Sequence, residues 1–256
     1  MTPAAADRES LTPFLKPETV RLRPVAALRA FGRLMRDKED TSQVFAIMRA
    51  LSGRSIEKGY ERLLRDPEGA RQAYRALELV ERLGDRAWLE AFPEGTLGAA
   101  YREFMRGHGF EADGLNKADD AWTGGPLPHP RAWYARRLRD VHDVWHVLAG
   151  YDTDALGEAC VVSFSFAQTR QLGFAVIGLG GAREIEREDP GVPAVRAVME
   201  AWRNGRRAAW LPAQDYEALF ALPLEEARRR LNIRPPEVYR SVPEARRRAL
   251  KLRAAA

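Results

Sequence analysis

Apolar residues in this chain recur three and four positions apart and almost nowhere alternate, which commits it to amphipathic helices instead of sheet. TSQVFAIMRALSG places Val44, Ile47, Met48 and Leu51 on one stripe, with Thr41 or Ser42 to cap it and Gly53 to stop it. RQAYRALELVERLGD repeats the pattern through Tyr74, Leu77 and Val80 to Gly84. Further helices fit GTLGAAYREFMRGHG, PRAWYARRLRDVHDVWHVLAG, DALGEACVVSFSFAQTRQLG, PAVRAVMEAWRNGRRAAW, AQDYEALFAL and PLEEARRRLNI. The expected fold class is all-α, a single helical domain. No Ser/Gly-rich or Pro-rich linker and no internal repeat divides the 256 residues. The expected organisation is a leader over 1–40 carrying an amphipathic basic helix, a helical domain over 41–236, and a basic tail over 237–256.

A hydrophobic content of 45% supplies a sizeable core at this length. The lone cysteine, Cys160, excludes a disulfide framework and a thiolate zinc site, and suits a reducing compartment. It reads as a small buried hydrophobe. The opening MTPAAADRESLTPFLKP has no apolar run after a basic stretch and carries Asp7 and Glu9, so a cytoplasmic protein is expected. Forty-one basic against thirty-six acidic residues give a net charge of +5, which suits an anionic membrane surface or nucleic acid. Charge is the only feature that favours nucleic acid, and none is expected as a partner.

Two of the four histidines fall in HDVWHVLAGYDTDALGE, residues 142 to 158. At ~100° per helical residue, with His142 at zero, His146 lies at ~40°, Arg139 at ~60° and Asp143 at ~100°. Gly150 then stops the helix and Asp154 caps the next. His146 precedes Gly150 by four residues and Glu158 follows Asp154 by four, so both stand ~6 Å from the turn of an antiparallel pair. Two imidazoles and two carboxylates converging there suit Zn²⁺, Mn²⁺ or Fe²⁺. The spacing equally allows core or surface histidines with acids that cap helix ends. His108 and His129 have no matching partners and read as surface residues.

HDVWH followed eleven residues later by Glu158 resembles the signature of the coenzyme Q (ubiquinone) biosynthesis Coq-four family. FPEGTLGAAYREFM, the approach ARRLRDVHD, and AWRNGRRAAWLPAQDYEALFALPLEEARRRLNI are similar to further blocks of that family, in the same order, over roughly residues 40 to 236. The resemblance implies a helical, lipid-facing protein of ubiquinone biosynthesis with a divalent metal, Zn²⁺ first and Fe²⁺ or Mn²⁺ as alternatives. Carried over by position, the metal residues are His142, Asp143, His146 and Glu158. The implied activity is a lyase: metal-dependent, oxidative decarboxylation at C1 of a 4-hydroxy-3-methoxy-5-polyprenylbenzoate-type head group. The implied partners are the prenylated quinone precursor, the other pathway enzymes and, as a further option, a second copy of the chain.

Asp143 is the candidate to share metal binding with proton transfer, and Arg139 to reach the substrate carboxylate or orient Asp143; the ordinary reading of Arg139 is a surface ion pair with Asp143. Val162, Ser165 and Thr169 continue the Glu158 face with small side chains, as a prenyl path or as close helix packing. Gly98 admits either a neighbouring helix or the substrate. The apolar run from Ala159 to Gly181 is interrupted by Gln168, Arg170 and Gln171, so a buried or membrane-touching helix is expected instead of a span, with peripheral contact on the cytoplasmic side of a bacterial inner membrane. RLRPVAALRAFGRLMRDK supplies it through a stripe of Leu28, Phe31 and Leu34 among arginines. The alternative function is a non-catalytic, lipid-binding organiser of the biosynthetic complex, which has no need of the four metal residues. A third reading, an HD-type phosphohydrolase, lacks its additional histidine and aspartate.

Overall fold

The computed structural model describes residues 21–34, 36, 41–108 and 130–254. His129 lies outside the described residues, as does the side chain of His108. The first half carries helices α1 (Pro24–Leu34), α2 (Thr41–Leu51), α3 (Ser55–Arg65), α4 (Pro67–Arg75), α5 (Leu79–Leu83), α6 (Arg86–Glu90) and α7 (Leu97–His108). The second half carries α8 (Arg131–Asp140), α9 (His142–Ala149), α10 (Ala155–Thr169), α11 (Leu172–Glu188) and α12 (Ala194–Arg207). After a 3₁₀ turn at Leu211–Ala213 come α13 (Tyr216–Phe220), α14 (Leu224–Arg230), α15 (Glu237–Ser241) and α16 (Glu244–Ala254). The chain is all-α as its periodicity requires; among the described residues there is no strand beyond a single bridge between Thr96 and Pro223.

Helix α10 is the axis of the molecule, packed along most of its length between α11 and α12. Twelve of its fifteen residues are buried, which is why it shows almost no amphipathic face in sequence. Trp133, Trp145, Tyr101, Tyr134, Tyr216, Phe164 and Phe220 are the largest fully buried side chains of the main core, each contributing roughly 1.5–3 kcal/mol or more by burial. A smaller cluster, Ala27, Ala30 and Leu34 against Ile47, Ala50 and Leu51, joins α1 to α2.

Three segments depart from the sequence expectation. The helix expected through 71–85 breaks after Arg75: Ala76 takes a left-handed conformation (φ 47°), the Leu77 carbonyl accepts from Trp133 Nε1 at 3.1 Å, and Glu78 is held by Arg136. Tyr74 and Leu77 are therefore exposed, while Leu79 and Leu83 are buried. The helix expected through 130–150 is two helices meeting at Val141, whose N–H still donates to Arg137 and whose carbonyl still accepts from Trp145. Helix α11 is separate from α10, where the sequence reading has one buried or membrane-touching run from Ala159 to Gly181. Its glycines lower helix propensity, but Gly178 lies where a Cβ would meet Ser163 Oγ, and Gly180 where one would meet the Phe31 ring, so packing overrides propensity.

Both ends of the described chain join the body. Residues 237–254, read as a basic tail, bury Tyr239, Val242 and Leu250 in the main core. On α1 the expected stripe is displaced: Leu34 is buried and Phe31 packs on Gly180, but Leu28 is 71% exposed. No described helix is long and apolar enough to cross a membrane.

Candidate metal centre

The α9–α10 turn is built by local chemistry. Gly150 adopts φ 76°, and the amides of Gly150 and Tyr151 both return to the His146 carbonyl, at 2.8 and 3.1 Å, closing α9. Asp154 then caps α10, its Oδ1 accepting from the amides of Leu156 (3.1 Å) and Gly157 (3.0 Å). Gly157 is required here because a Cβ would sit 2.0 Å from the Asp152 carbonyl oxygen. From the C-terminal helices, Tyr239 donates its hydroxyl to Asp154 Oδ2 at 2.6 Å and accepts the Asp152 amide at 3.0 Å, so α15 pins the turn.

That turn brings the two helices together as the hairpin geometry requires. His146 Nε2 lies 3.6 Å from Glu158 Oε1, and one donor atom from each of His142, His146 and Glu158 falls within 4.8 Å of the others. Asp143, the fourth residue of the expected set, stands beside that group with Oδ1 3.5 Å from His142 Nδ1. His146 is 1% exposed, its ring stacked on Phe104 from α7 at 5.5 Å and edge-on to His142 at 5.0 Å. The Glu158 residue is half-buried with its side chain 46% exposed, so the cluster is walled by core on one side and open on the other.

The electrostatics follow from this half-open arrangement. Burial pushes the His146 pKa down, but Glu158, Asp143 and the Tyr151 carbonyl outweigh it, and the net shift is upward. Burial raises Glu158 and the two histidines lower it further, for a net downward shift. His146 Nδ1 lies 3.2 Å from the Tyr151 carbonyl oxygen. A carbonyl only accepts, so this contact keeps a proton on Nδ1 and leaves Nε2, aimed at Glu158, to carry the second proton of the imidazolium or, once that proton is lost, to bind a metal. The donor set fits a divalent metal: two imidazole nitrogens and a carboxylate oxygen, with the His146–Glu158 separation close to the ~3.4 Å edge of a tetrahedron with ~2.1 Å bonds.

Arg139 is buried instead of lying at the surface, and its Nε and Nη2 donate to Oδ1 of the buried Asp140 at 3.0 and 2.8 Å. Val162, Ser165 and Thr169 are buried, with Val162 and neighbouring Ser163 against Gly178, so this face packs helices. Gly98 receives the Phe92 ring, again as packing.

Tyr101, on the same helix as Phe104, is a buried residue that sequence reasoning passed over. It is fully buried, its hydroxyl has no hydrogen-bond partner among the described residues, and its pKa is raised by burial and then by Asp143 and Asp140. Its spacing from Phe104, three residues on one helix, was the available signal that both face the same neighbour.

Comparison with known proteins identifies the family and the fold. The family described as "Coenzyme Q (ubiquinone) biosynthesis protein Coq4" matches residues 18–237. The mitochondrial ubiquinone biosynthesis protein COQ4 homolog of Rattus norvegicus is 30% identical over 177 residues, 69% of this chain and 64% of the rat protein. The Bos taurus homolog is 26% identical over 220 residues, 86% of this chain and 81% of its own. The chain thus spans slightly under two thirds of the rat relative's length. A solved structure from Nostoc punctiforme, whose name places it in ubiquinone biosynthesis, shares the fold, with a TM-score of 0.59 at 22% identity over 82% of this chain and 98% of the other.

Proposed function

The chain belongs to the coenzyme Q (ubiquinone) biosynthesis protein Coq4 family, and from that premise we propose that it acts in ubiquinone biosynthesis as a metal-dependent decarboxylase of a polyprenylated 4-hydroxybenzoate-type head group, working at C1. The observation that carries the reading is the convergence of His142, His146 and Glu158 on one point, with the Tyr151 carbonyl fixing the tautomer that leaves Nε2 available.

Those three residues would hold the ion, with Zn²⁺, Fe²⁺ or Mn²⁺ compatible with the donors. A bound divalent ion supplies Lewis acidity to the substrate carboxylate or to an oxygen species beside C1. The rest is done by the chain. Asp143, in contact with His142, either completes the coordination or moves a proton at C1, where a tetrahedral carbon must form before CO₂ leaves and the ring regains aromaticity. Tyr101 places a buried phenol close enough to feel Asp143, and its high pKa keeps it a hydrogen-bond donor. Arg139 acts through Asp140 as a positioning residue at the junction before His142. Phe104 and the core behind His146 exclude water from the ring's inner face.

The other pathway enzymes are proposed partners, as is a membrane surface that presents the prenylated substrate. Accumulation of the prenylated carboxylate in cells carrying variants of the metal residues, with the protein present at its normal level, tests the reading. Normal quinone with no such accumulation would favour the organiser.

A further inference from the structure

About 17 Å along α10 from Glu158, estimated at 1.5 Å per residue, the helix ends in a second, unrelated cluster. Thr169 and Arg170 meet α3 and Trp210 around a cavity of about 530 Å³. This volume lies within the usual range for ligand sites. Arg54, Lys58, Arg62 and Arg170 line it, and among the described residues no carboxylate does. Arg54 is answered by Glu57 at 2.6 Å, but Lys58, Arg62 and Arg170 form no ion pair among the described residues. Arg62 is instead held over the Trp210 ring at 4.2 Å. Arg170 occupies a left-handed conformation (φ 60°) that costs a non-glycine residue ~1 kcal/mol. Four cations thus face one cavity, and Arg54 alone of them is held in an ion pair among the described residues.

The rim identifies the kind of anion. Leu22 and Leu172 both line the cavity and are 49% and 42% exposed. From Leu172 the exposed face of α11 continues through Val176 and Leu179, and from Leu22 the chain continues through exposed Val25 and Leu28 on α1. Phe31 seated on Gly180 lays α1 beside α11. Six of the ten large exposed apolar residues of the described chain are these, on the two segments that reach the cavity through Leu22 and Leu172. A soluble anion makes no use of such a rim, whereas an amphiphile uses both parts.

We infer that this cavity seats the phosphate of an anionic phospholipid headgroup on Lys58, Arg62 and Arg170, with the apolar residues of α1 and α11 in the boundary between headgroups and acyl chains. The inference rests on the reading of the protein as working at a lipid surface, but not on its metal chemistry.

The test uses the full chain and vesicles of phosphatidylcholine containing about a fifth phosphatidylglycerol. Lys58→Gln combined with Arg170→Asn, which suits the left-handed position, is expected to weaken binding about 30-fold, at about fivefold per basic residue beside an anionic leaflet. Arg229→Gln with Arg230→Gln removes the same charge elsewhere and is expected to change binding less than about threefold. Leu172→Ser with Val176→Ser, all charges retained, is expected to weaken it about tenfold or more. Metal content should be unchanged in every variant, and a metal-site variant should still bind vesicles, so this failure and that of the decarboxylase reading are distinguishable. Equal losses in the Lys58/Arg170 pair and the Arg229/Arg230 pair would overturn the site. Displacement of vesicles by inorganic phosphate, with the Leu172/Val176 variant binding normally, would assign the cavity to a soluble phosphate and overturn the lipid. Lys58 is exposed, so Lys58→Gln alone, with about a fivefold loss expected, keeps the test available if the double variant fails to fold.

Discussion

His146 presents Nε2 to Glu158 Oε1 at 3.6 Å while its Nδ1 faces the Tyr151 carbonyl at 3.2 Å, so one buried imidazole is oriented from both ends. The carbonyl belongs to the turn and the carboxylate to the next helix, which makes the hairpin itself the device that sets the tautomer.

The first prediction is therefore about one divalent ion per purified chain. His146→Ala should lose most of it, because it removes the ligand whose orientation is fixed, and a combined His142, His146 and Glu158 alanine variant should lose all of it. Elemental analysis of folded protein decides the matter. Full occupancy in the triple variant would sink the metal assignment.

The pKa shifts predict how this binding depends on pH. His146 is raised above its ordinary 6.5, so in metal-free protein its contact with Glu158 stabilises fully below that value and is lost as pH rises through the raised one. Glu158 is lowered below 4.5, so its share is present above that value and lost as pH falls through the lowered one. Between those limits a metal must displace the His146 proton, and affinity should rise with pH until the raised pKa is passed. Glu158→Gln removes the main group holding that proton. A competitive zinc titration across pH should then show weaker binding whose onset moves to lower pH; an unmoved onset would contradict the coupling.

How much of this was legible in the sequence depended on whether a feature is local. The hairpin was legible because Gly150, Asp154 and the spacing of His146 and Glu158 each act within one turn of helix. Helix α11 was not, since Gly173, Gly178, Gly180 and Gly181 argue against a helix until Met48, Ser163 and Phe31 are seen to occupy the space they leave. Tyr239 likewise reads as part of a basic tail, and only the fold brings its hydroxyl to Asp154. The partner of Arg139 was hidden for a third reason: helical angles place it between the directions of His142 and Asp143, but could not show that Asp140, its immediate neighbour, accepts from its Nε and Nη2 in a buried environment.

The Asp154–Tyr239 contact should carry measurable stability. Asp154→Ala removes a cap worth ~1 kcal/mol and leaves the buried Tyr239 hydroxyl without its acceptor, for a total loss of about 2–4 kcal/mol. Tyr239→Phe keeps the cap and should lose about 1–2 kcal/mol. Urea unfolding with unchanged slope measures both. A Tyr239→Phe protein as stable as wild type would show that α15 does not pin the turn.

Tyr101→Phe separates structure from chemistry at the same site. The hydroxyl has no partner among the described residues, so its removal should alter stability by no more than about 0.5 kcal/mol. If the phenol serves Asp143, head-group turnover should nonetheless fall about tenfold or more. Unchanged turnover in a fully folded variant would confine Tyr101 to packing against Phe220, 5.4 Å away.

Asp143→Asn is the variant that divides enzyme from organiser. It preserves shape, and the His142, His146 and Glu158 donors that lie within 4.8 Å of one another remain, so metal should be largely retained. If Asp143 moves the proton at C1, decarboxylation should slow about 10²-fold or more, the usual scale for losing a general acid or base. The measurement complements a strain lacking the protein, checks that the variant reaches the wild-type level, and quantifies ubiquinone beside the prenylated carboxylate. A scaffold needs only the fold, and the fold survives this substitution, so a scaffold would restore quinone fully. Full rescue without accumulated carboxylate would remove Asp143 from the chemistry, and full rescue by the metal-free triple variant would remove the chemistry from the protein.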